Sequence, residues 1–274
     1  MYLPLDQLEP CADTTPRCLA CGLHSKACCC ALIAQHQVAS SLPFDTYCVV
    51  HPNELKRLTN TGHLIPRCLY SQALTDQAPQ GDSQDHSQGH SQESWPFIVW
   101  QRKEGEGWLQ QQISKRCVYL VYPPDDKRQN VKPDETKAHD VKPHDVKACS
   151  DSASHATDEA QISPLSVLKR VAQDGAPTTK PLLVFLDGTW QESAKMLRHW
   201  PWLAELPRIS LALSQSRYHF RRNQKGVCTF EAAIGCVAQV DKTLAQSLAD
   251  FFEKYLQHLQ ASQSGHGVKT GQSS

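Results

Sequence analysis

The chain is 274 residues long and 40% hydrophobic, enough for one full core with or without a small appendage. Its 28 Lys and Arg are balanced by 28 Asp and Glu, so the overall basic charge that would announce a nucleic-acid binder is absent. No stretch reaches the length of a membrane span, and the first residues, Met1 to Asp6, hold neither a basic n-region nor an apolar h-region, so a cytoplasmic location without a membrane partner is expected.

In chain order, the first informative segment is a head rich in cysteine. Cys18-x2-Cys21-x6-Cys28-x-Cys30 places four thiols in thirteen residues. Two short-spaced pairs separated by a turn can close on a tetrahedral Zn²⁺ and leave no open position for chemistry. The spacing predicts structural zinc on Cys18, Cys21, Cys28 and Cys30, with an iron–sulfur centre or a redox dithiol as alternatives. Cys29, between two ligands, is expected to point away, and the head is too short to fold without its metal. The chain has twelve cysteines in all, and without a secretion signal they read as reduced thiols; the dispersed ones, such as Cys48, Cys117 and Cys236, read mostly as small hydrophobes.

Phe44 to Val50 reads as a strand, followed by a helical stretch from Asn53 and a turn at Asn60-Thr61-Gly62. Residues 72–94 are polar and aperiodic, a flexible insert. Phe97–Trp100 and Cys117–Tyr122 read as short buried strands, the second stopped by Pro123-Pro124. A second low-complexity insert covers 125–161, and Ser163-Pro164 opens a helix to about Ala172. Leu182 to Asp187 is an apolar strand that ends abruptly in Asp187-Gly188-Thr189-Trp190, and a helix to His199 begins at once. Thr189 suits the N-cap and Glu192 completes a capping box, which leaves Asp187 free at the strand's carboxyl end, where open α/β sheets bind ligands. Gly188 is read as the residue that permits the sharp backbone. A lone Asp-Gly is more often a plain turn than a site.

Arg208–Leu213 reads as a further strand and Ser214–Gly226 as a basic loop. From Gly188 to Gly226 seven Lys and Arg face two Glu, a local excess of five positive charges. Arg217, Arg221 and Arg222 alternate with Tyr218, His219 and Phe220, the mixture that grips phosphate and stacks on unpaired RNA bases; a solvated basic loop is the simpler alternative. Two helices, Cys228–Val240 and Thr243 to about Gln260, close the chain. Glu231 is the one charge in the first of them, and a carboxylate among Phe230, Ala233, Ile234 and Val237 must pair, hydrogen-bond or hold a ligand. Strands alternating with helices predict an α/β fold with a largely parallel sheet flanked by helices. The expected division is a zinc-binding head at 11–40, a catalytic domain at 41–260 interrupted by the two inserts, and a disordered tail at 261–274.

Together these segments resemble the DTW-domain family of tRNA-uridine aminocarboxypropyltransferases. The resemblance rests on the cysteine head, His51-Pro-x-Glu54 with Thr59-Asn-Thr-Gly62, Tyr122-Pro123, Asp187-Gly-Thr-Trp190, Ser216-x-Tyr218 with Arg221, and Thr229-Phe-Glu-Ala232. Each is weak alone, and the ordered set is specific. One departure is His24, where the family often has Pro in the cysteine loop. The resemblance implies transfer of the 3-amino-3-carboxypropyl group of S-adenosylmethionine to N3 of a tRNA uridine, at variable-loop position 47 in bacterial-type members. It also implies kinship with SPOUT-like knotted folds and tRNA as partner; no obligate protein partner is evident in the sequence. Carried onto this chain, it implies a catalytic group of Asp187, Thr189 and Trp190. Asn60, Thr61, Gly62, Pro123, Asp187 and Glu231 would line the S-adenosylmethionine site, and Arg217, Tyr218, Arg221 and Arg222 would meet the RNA. A SPOUT-type RNA methyltransferase and a non-enzymatic zinc and RNA-binding module are the alternatives.

Overall fold

The computed structural model describes residues 17–18, 21–36, 42–69, 97–101, 107–122, 166, 168, 180–211, 216–218 and 226–265. Five strands, β1 (Asp45–Val50), β2 (Phe97–Val99), β3 (Val118–Val121), β4 (Leu182–Asp187) and β5 (Arg208–Ile209), form one sheet in the order β2-β1-β4-β3-β5, and every pairing is parallel. The central pair, β1 and β4, runs in register from Asp45 opposite Leu182 to Val50 opposite Asp187. Strand side chains alternate between two apolar layers, as a two-residue period requires. Cys48, Val50, Tyr119, Val121, Leu183 and Phe185 enter one layer, and Tyr47, Val49, Val118, Leu120, Leu182, Val184 and Leu186 enter the other. Burial on both faces explains why these strands are apolar throughout rather than alternating.

The first layer is covered by α1 (Cys30–Gln35), α2 (Leu64–Cys68), α6 (Thr229–Val237) and α7 (Lys242–Ser264). The second is covered by α3 (Gly107–Lys115), α4 (Trp190–His199) and α5 (Pro201–Ala204). Asp187 has the parity of Leu183 and Phe185, so its side chain leaves β4 on the α2–α6 side. The expected α/β class with a parallel sheet between helices is what the chain adopts.

The cysteine head belongs to the first layer. Cys18, Cys21, Leu23, Cys29 and Ile33 are part of the same apolar cluster as Phe251, Tyr255 and Leu259 of α7. Two polar contacts fix the docking: the His24 N–H donates to Ser262 Oγ at 2.8 Å, and His258 Nδ1 lies 3.1 Å from the Ala27 carbonyl oxygen. Among the described residues no helix is long and apolar enough to cross a membrane.

Several expectations are adjusted. The strand expected at Arg208–Leu213 is two residues long, and the helical stretch after Asn53 is a single 3₁₀ turn, Glu54–Lys56. Gly188 has no positive φ, so the turn after β4 does not need a left-handed residue; a Cβ there would instead come within 3.1 Å of the Glu192 Cβ. Cys117 is disulfide-bonded, in contrast to the reduced thiols expected. The two inserts, most of the helix expected at 163–172, Pro123, Arg221, Arg222 and the tail beyond Gly265 lie outside the described residues.

Candidate active site

The site is built where β1 and β4 end. The His51 N–H donates to the Asp187 carbonyl at 2.9 Å, and the Glu54 N–H donates to the His51 carbonyl at 2.8 Å, so the loop after β1 folds directly beside the end of β4. Asp187 is 4% exposed, and each of its carboxylate oxygens has a neutral donor: Asn60 Nδ2 reaches Oδ2 at 2.7 Å, and Thr229 Oγ1 reaches Oδ1 at 2.7 Å. The turn at 60–62 presses against the carboxylate. A Cβ on Gly62 would sit 2.2 Å from Asp187 Cγ, a distance that admits only glycine. Asn60 and Thr61 are buried beside it, at 2% and 3% exposure. The turn therefore meets Asp187 through the Asn60 side chain as well as through backbone.

Thr189 starts α4 as expected. Its hydroxyl accepts the Glu192 N–H at 3.3 Å, and Glu192 Oε2 accepts the Thr189 N–H at 2.8 Å, so Asp187 takes no part in the cap. Trp190, at 42% exposure, is the one large hydrophobic side chain among the described residues that stands out into solvent. It meets Tyr122 edge-on with ring centroids 6.0 Å apart, and a Cβ on Gly226 (φ +83°) would lie 3.4 Å from its ring. A half-exposed indole on the turn that follows Asp187 suits stacking on a planar ring.

Glu231 is buried and spends its carboxylate inside the protein. Oε2 accepts from Ser216 Oγ at 2.5 Å and from the Cys228 N–H at 2.8 Å; Oε1 accepts from the Arg217 N–H at 2.5 Å. The residue pins the segment 216–218 to the start of α6. Tyr218, buried, donates its hydroxyl to the Thr59 carbonyl, which ties that segment to the 60–62 turn. The Arg217 side chain lies on the surface, paired with Glu253 at 2.7 Å.

The loop after β1 supplies an ionic cluster that the sequence reading did not single out. Arg57 bridges Glu54 and Glu192, and Asn53 Nδ2 donates to Glu192 Oε1 at 3.0 Å. His51 stacks on Trp100 with ring centroids 5.4 Å apart, and its Nδ1 lies 3.4 Å from Glu192. Burial would raise the Glu192 pKa, but hydrogen bonds from Thr189, Asn53 and Arg57 outweigh it and hold the group at about 2. Glu54 is pushed up to about 7, first by burial and then by the negative charge of Asp187. Two neighbouring carboxyl groups thus differ widely in acidity, a pattern common where protons are handled. The motif spacing His51-Pro-x-Glu54 was the available signal for this cluster.

In the head, the sulfurs of Cys18, Cys21, Cys28 and Cys30 all lie within 4.8 Å of one another, with Cys18 to Cys30 at 3.6 Å and Cys21 to Cys28 at 3.8 Å. Tetrahedral zinc with Zn–S bonds of about 2.3 Å needs sulfurs roughly 3.8 Å apart, so the four thiols fit a metal ion as they stand. Cys29 is buried at 1% exposure and is not one of the four converging sulfurs, but contrary to the expectation that it points away, its thiol contacts that of Cys21. His24 also stays outside it; its Nδ1 accepts the Lys26 N–H at 3.3 Å.

A family model described as the DTW domain matches residues 15–260 of the chain. No solved structure matches it. The match spans the cysteine head, the site and α7 up to Gln260, and the chain belongs to the DTW-domain family, which is associated with tRNA modification.

Proposed function

We propose, with that membership as premise, that the protein is a tRNA-uridine aminocarboxypropyltransferase, which moves the 3-amino-3-carboxypropyl group of S-adenosylmethionine to N3 of a tRNA uridine, position 47 of the variable loop being the expected target. The observation that carries the reading is a buried carboxylate, Asp187, at the carboxyl end of a parallel sheet, with an exposed indole three residues on and a glycine turn packed against it. The deprotonated N3 attacks the terminal side-chain carbon of the transferred group, a new C–N bond forms, the C–S bond breaks, and its electron pair returns to sulfur to leave neutral methylthioadenosine. The sulfonium is already a good leaving group, so the protein has to align reactants and stabilise charge.

Three carbons flank the sulfur, and the one in line with the nucleophile is transferred. Choice of the carboxypropyl carbon over the methyl is a problem of position, where orientation is worth several kcal/mol. Asp187 is the base that accepts the N3 proton, and its negative charge also suits the cationic donor. Trp190 stacks on uracil or adenine, the 60–62 turn and Pro123 line the donor cleft, and Arg221 holds the methionine carboxylate or a phosphate. Arg217, Tyr218 and Arg222 belong to the RNA-facing segment, and Glu231 serves the donor site by holding that segment in place. Zn²⁺ on Cys18, Cys21, Cys28 and Cys30 supplies structure and no chemistry. The fold is proposed to be of the SPOUT-like knotted kind, and the protein acts in the cytoplasm without an obligate protein partner.

Mass spectrometry of tRNA nucleosides after incubation with S-adenosylmethionine tests this reading. Aminocarboxypropyluridine with methylthioadenosine is the expected pair; adenosylhomocysteine would mean methyl transfer, and tRNA binding without either product would mean a binding module. Asp187→Ala in a folded protein is expected to abolish turnover, and full activity in that variant would remove Asp187 from the chemistry.

A further inference from the structure

Asp187 is the end of a longer chain of hydrogen bonds. Asn60 Oδ1 accepts the backbone N–H of His63 at 3.2 Å, and a backbone N–H can only donate. That contact fixes which way the Asn60 amide faces, so its NH₂ end is the one that meets Asp187 Oδ2 at 2.7 Å. The turn that carries Asn60 is held in turn from α7. Tyr255 Oη lies 3.0 Å from His63 Nε2 and 3.5 Å from the Asn60 carbonyl oxygen.

The directions of these bonds follow from the inventory of donors. A carbonyl only accepts, so where the Tyr255 hydroxyl donates to the Asn60 backbone oxygen, its own oxygen is the acceptor for a His63 ring protonated at Nε2. Burial keeps His63 neutral, its pKa down at about 3, so the ring has one proton to give. Tyr255 is fully buried, stacked on Phe252 with centroids 6.1 Å apart and edge-on to His63 at 5.8 Å. Its hydroxyl is therefore a fixed point in the core, and Thr229 at the start of α6 supplies the matching donor on the other carboxylate oxygen.

We infer that Tyr255 and His63 are positioning residues for Asp187: acting through Asn60, and with Thr229 opposite, they clamp its carboxylate as a pure acceptor in one orientation at the mouth of β4. This rests on the transfer reading for the identity of the reaction, and it assigns the last long helix a part in that reaction. Neither residue lies in a motif that points to chemistry, and neither needs to touch substrate.

A double-mutant cycle on kcat tests the inference, with tRNA as acceptor and the released nucleoside measured by mass spectrometry. Tyr255→Phe is expected to lower kcat about tenfold in the otherwise unaltered protein, with KM for S-adenosylmethionine within about twofold, and to add less than about twofold in an Asn60→Ala background. A full tenfold effect in both backgrounds would overturn the inference, since Tyr255 would then not act through Asn60. A second arm does not depend on Asn60→Ala folding. His63→Gln keeps an N–H able to reach Tyr255 and should hold kcat within about threefold, whereas His63→Leu should lose about tenfold; equal losses at equal melting temperature would also overturn it. Release of adenosylhomocysteine by the unaltered protein would defeat the transfer reading and leave the cycle intact on that product. Release of neither nucleoside would defeat both.

Discussion

Asp187 lies between the starts of two helices, and the two starts use one device under different loads. At α4, Glu192 reaches back to the Thr189 N–H and then extends to Asn53 and to Arg57. At α6, Glu231 reaches back to the Cys228 N–H and then takes the Ser216 hydroxyl and the Arg217 N–H. In each case the third helical residue both closes its own cap and holds a loop that frames the site. The difference lies in the partners. Glu192 has a cation, Arg57, whose side chain is 39% exposed, so water can replace much of what is lost there. Glu231 has neutral donors, and the backbone N–H of Cys228 that it satisfies is buried. A neutral network in the interior is the more costly to break, because orphaned donors pay their full desolvation there.

The sharpest way to break the comparison is Glu231→Ala. It leaves three donors without their acceptor, and a loss of about 3 kcal/mol in urea unfolding is expected, together with release of the 216–218 segment and loss of turnover. A loss no larger than that of Glu192→Ala would contradict the asymmetry. Glu192→Ala itself is expected to cost about 1–2 kcal/mol, the worth of a cap plus a partly exposed ion pair, and raised salt should shrink its ion-pair share.

The third test uses pH. Glu192 is held at about 2 against an ordinary 4.5, so its contribution is fully present above pH 4.5 and is lost as pH falls towards 2. Its neighbour Glu54, facing Arg57, Asp187 and Glu192, has the opposite sign: with its pKa raised to about 7, its contribution is full below pH 4.5 and is lost as pH rises through 7. Chemical denaturation across pH should show stability declining between those values, and Glu54→Gln should flatten that decline; an unchanged slope would sink the assignment. The smallest effect concerns the cap atoms themselves. Cys228 offers a thiol where Thr189 offers a hydroxyl, and sulfur is the weaker acceptor, so Cys228→Ser is expected to lie within about 0.5 kcal/mol of the unaltered protein in calorimetry. A large loss would give the thiol a packing role instead.

The same contrast explains what could be read in advance. β4, the turn and α4 are legible because their signals are local: an apolar run, a hydroxyl N-cap and a glutamate three residues on. The fixed spacing of four cysteines is equally local, and their sulfurs do converge. Glu231 stayed open between hydrogen bonding within the protein and holding a ligand because its cap residue is a cysteine and its other partners lie 14 and 15 residues upstream. α2 and α3 escaped for different reasons. One is five residues long with Pro66 inside it, and the other is largely polar, Gly107-Trp-Leu-Gln-Gln-Gln-Ile-Ser-Lys115, with a weak apolar face. The bonds from Thr229 and Asn60 to Asp187 span 42 and 127 residues, and no spacing rule reaches that far. Even the parity that sends Asp187 towards α6 becomes meaningful only once helices are assigned to the two faces.

The Gly62 backbone, pressed against Asp187, has a consequence for reading other chains. Because a single methyl there would overlap the carboxylate carbon at 2.2 Å, the position has no tolerant neighbour in sequence space: any side chain must displace Asp187 or rebuild the turn. Position 62 is thus a one-residue marker of how the Asp187 carboxylate is seated: a chain that keeps the cysteine head and the Asp-Gly-Thr-Trp turn but carries alanine there must place that carboxylate differently.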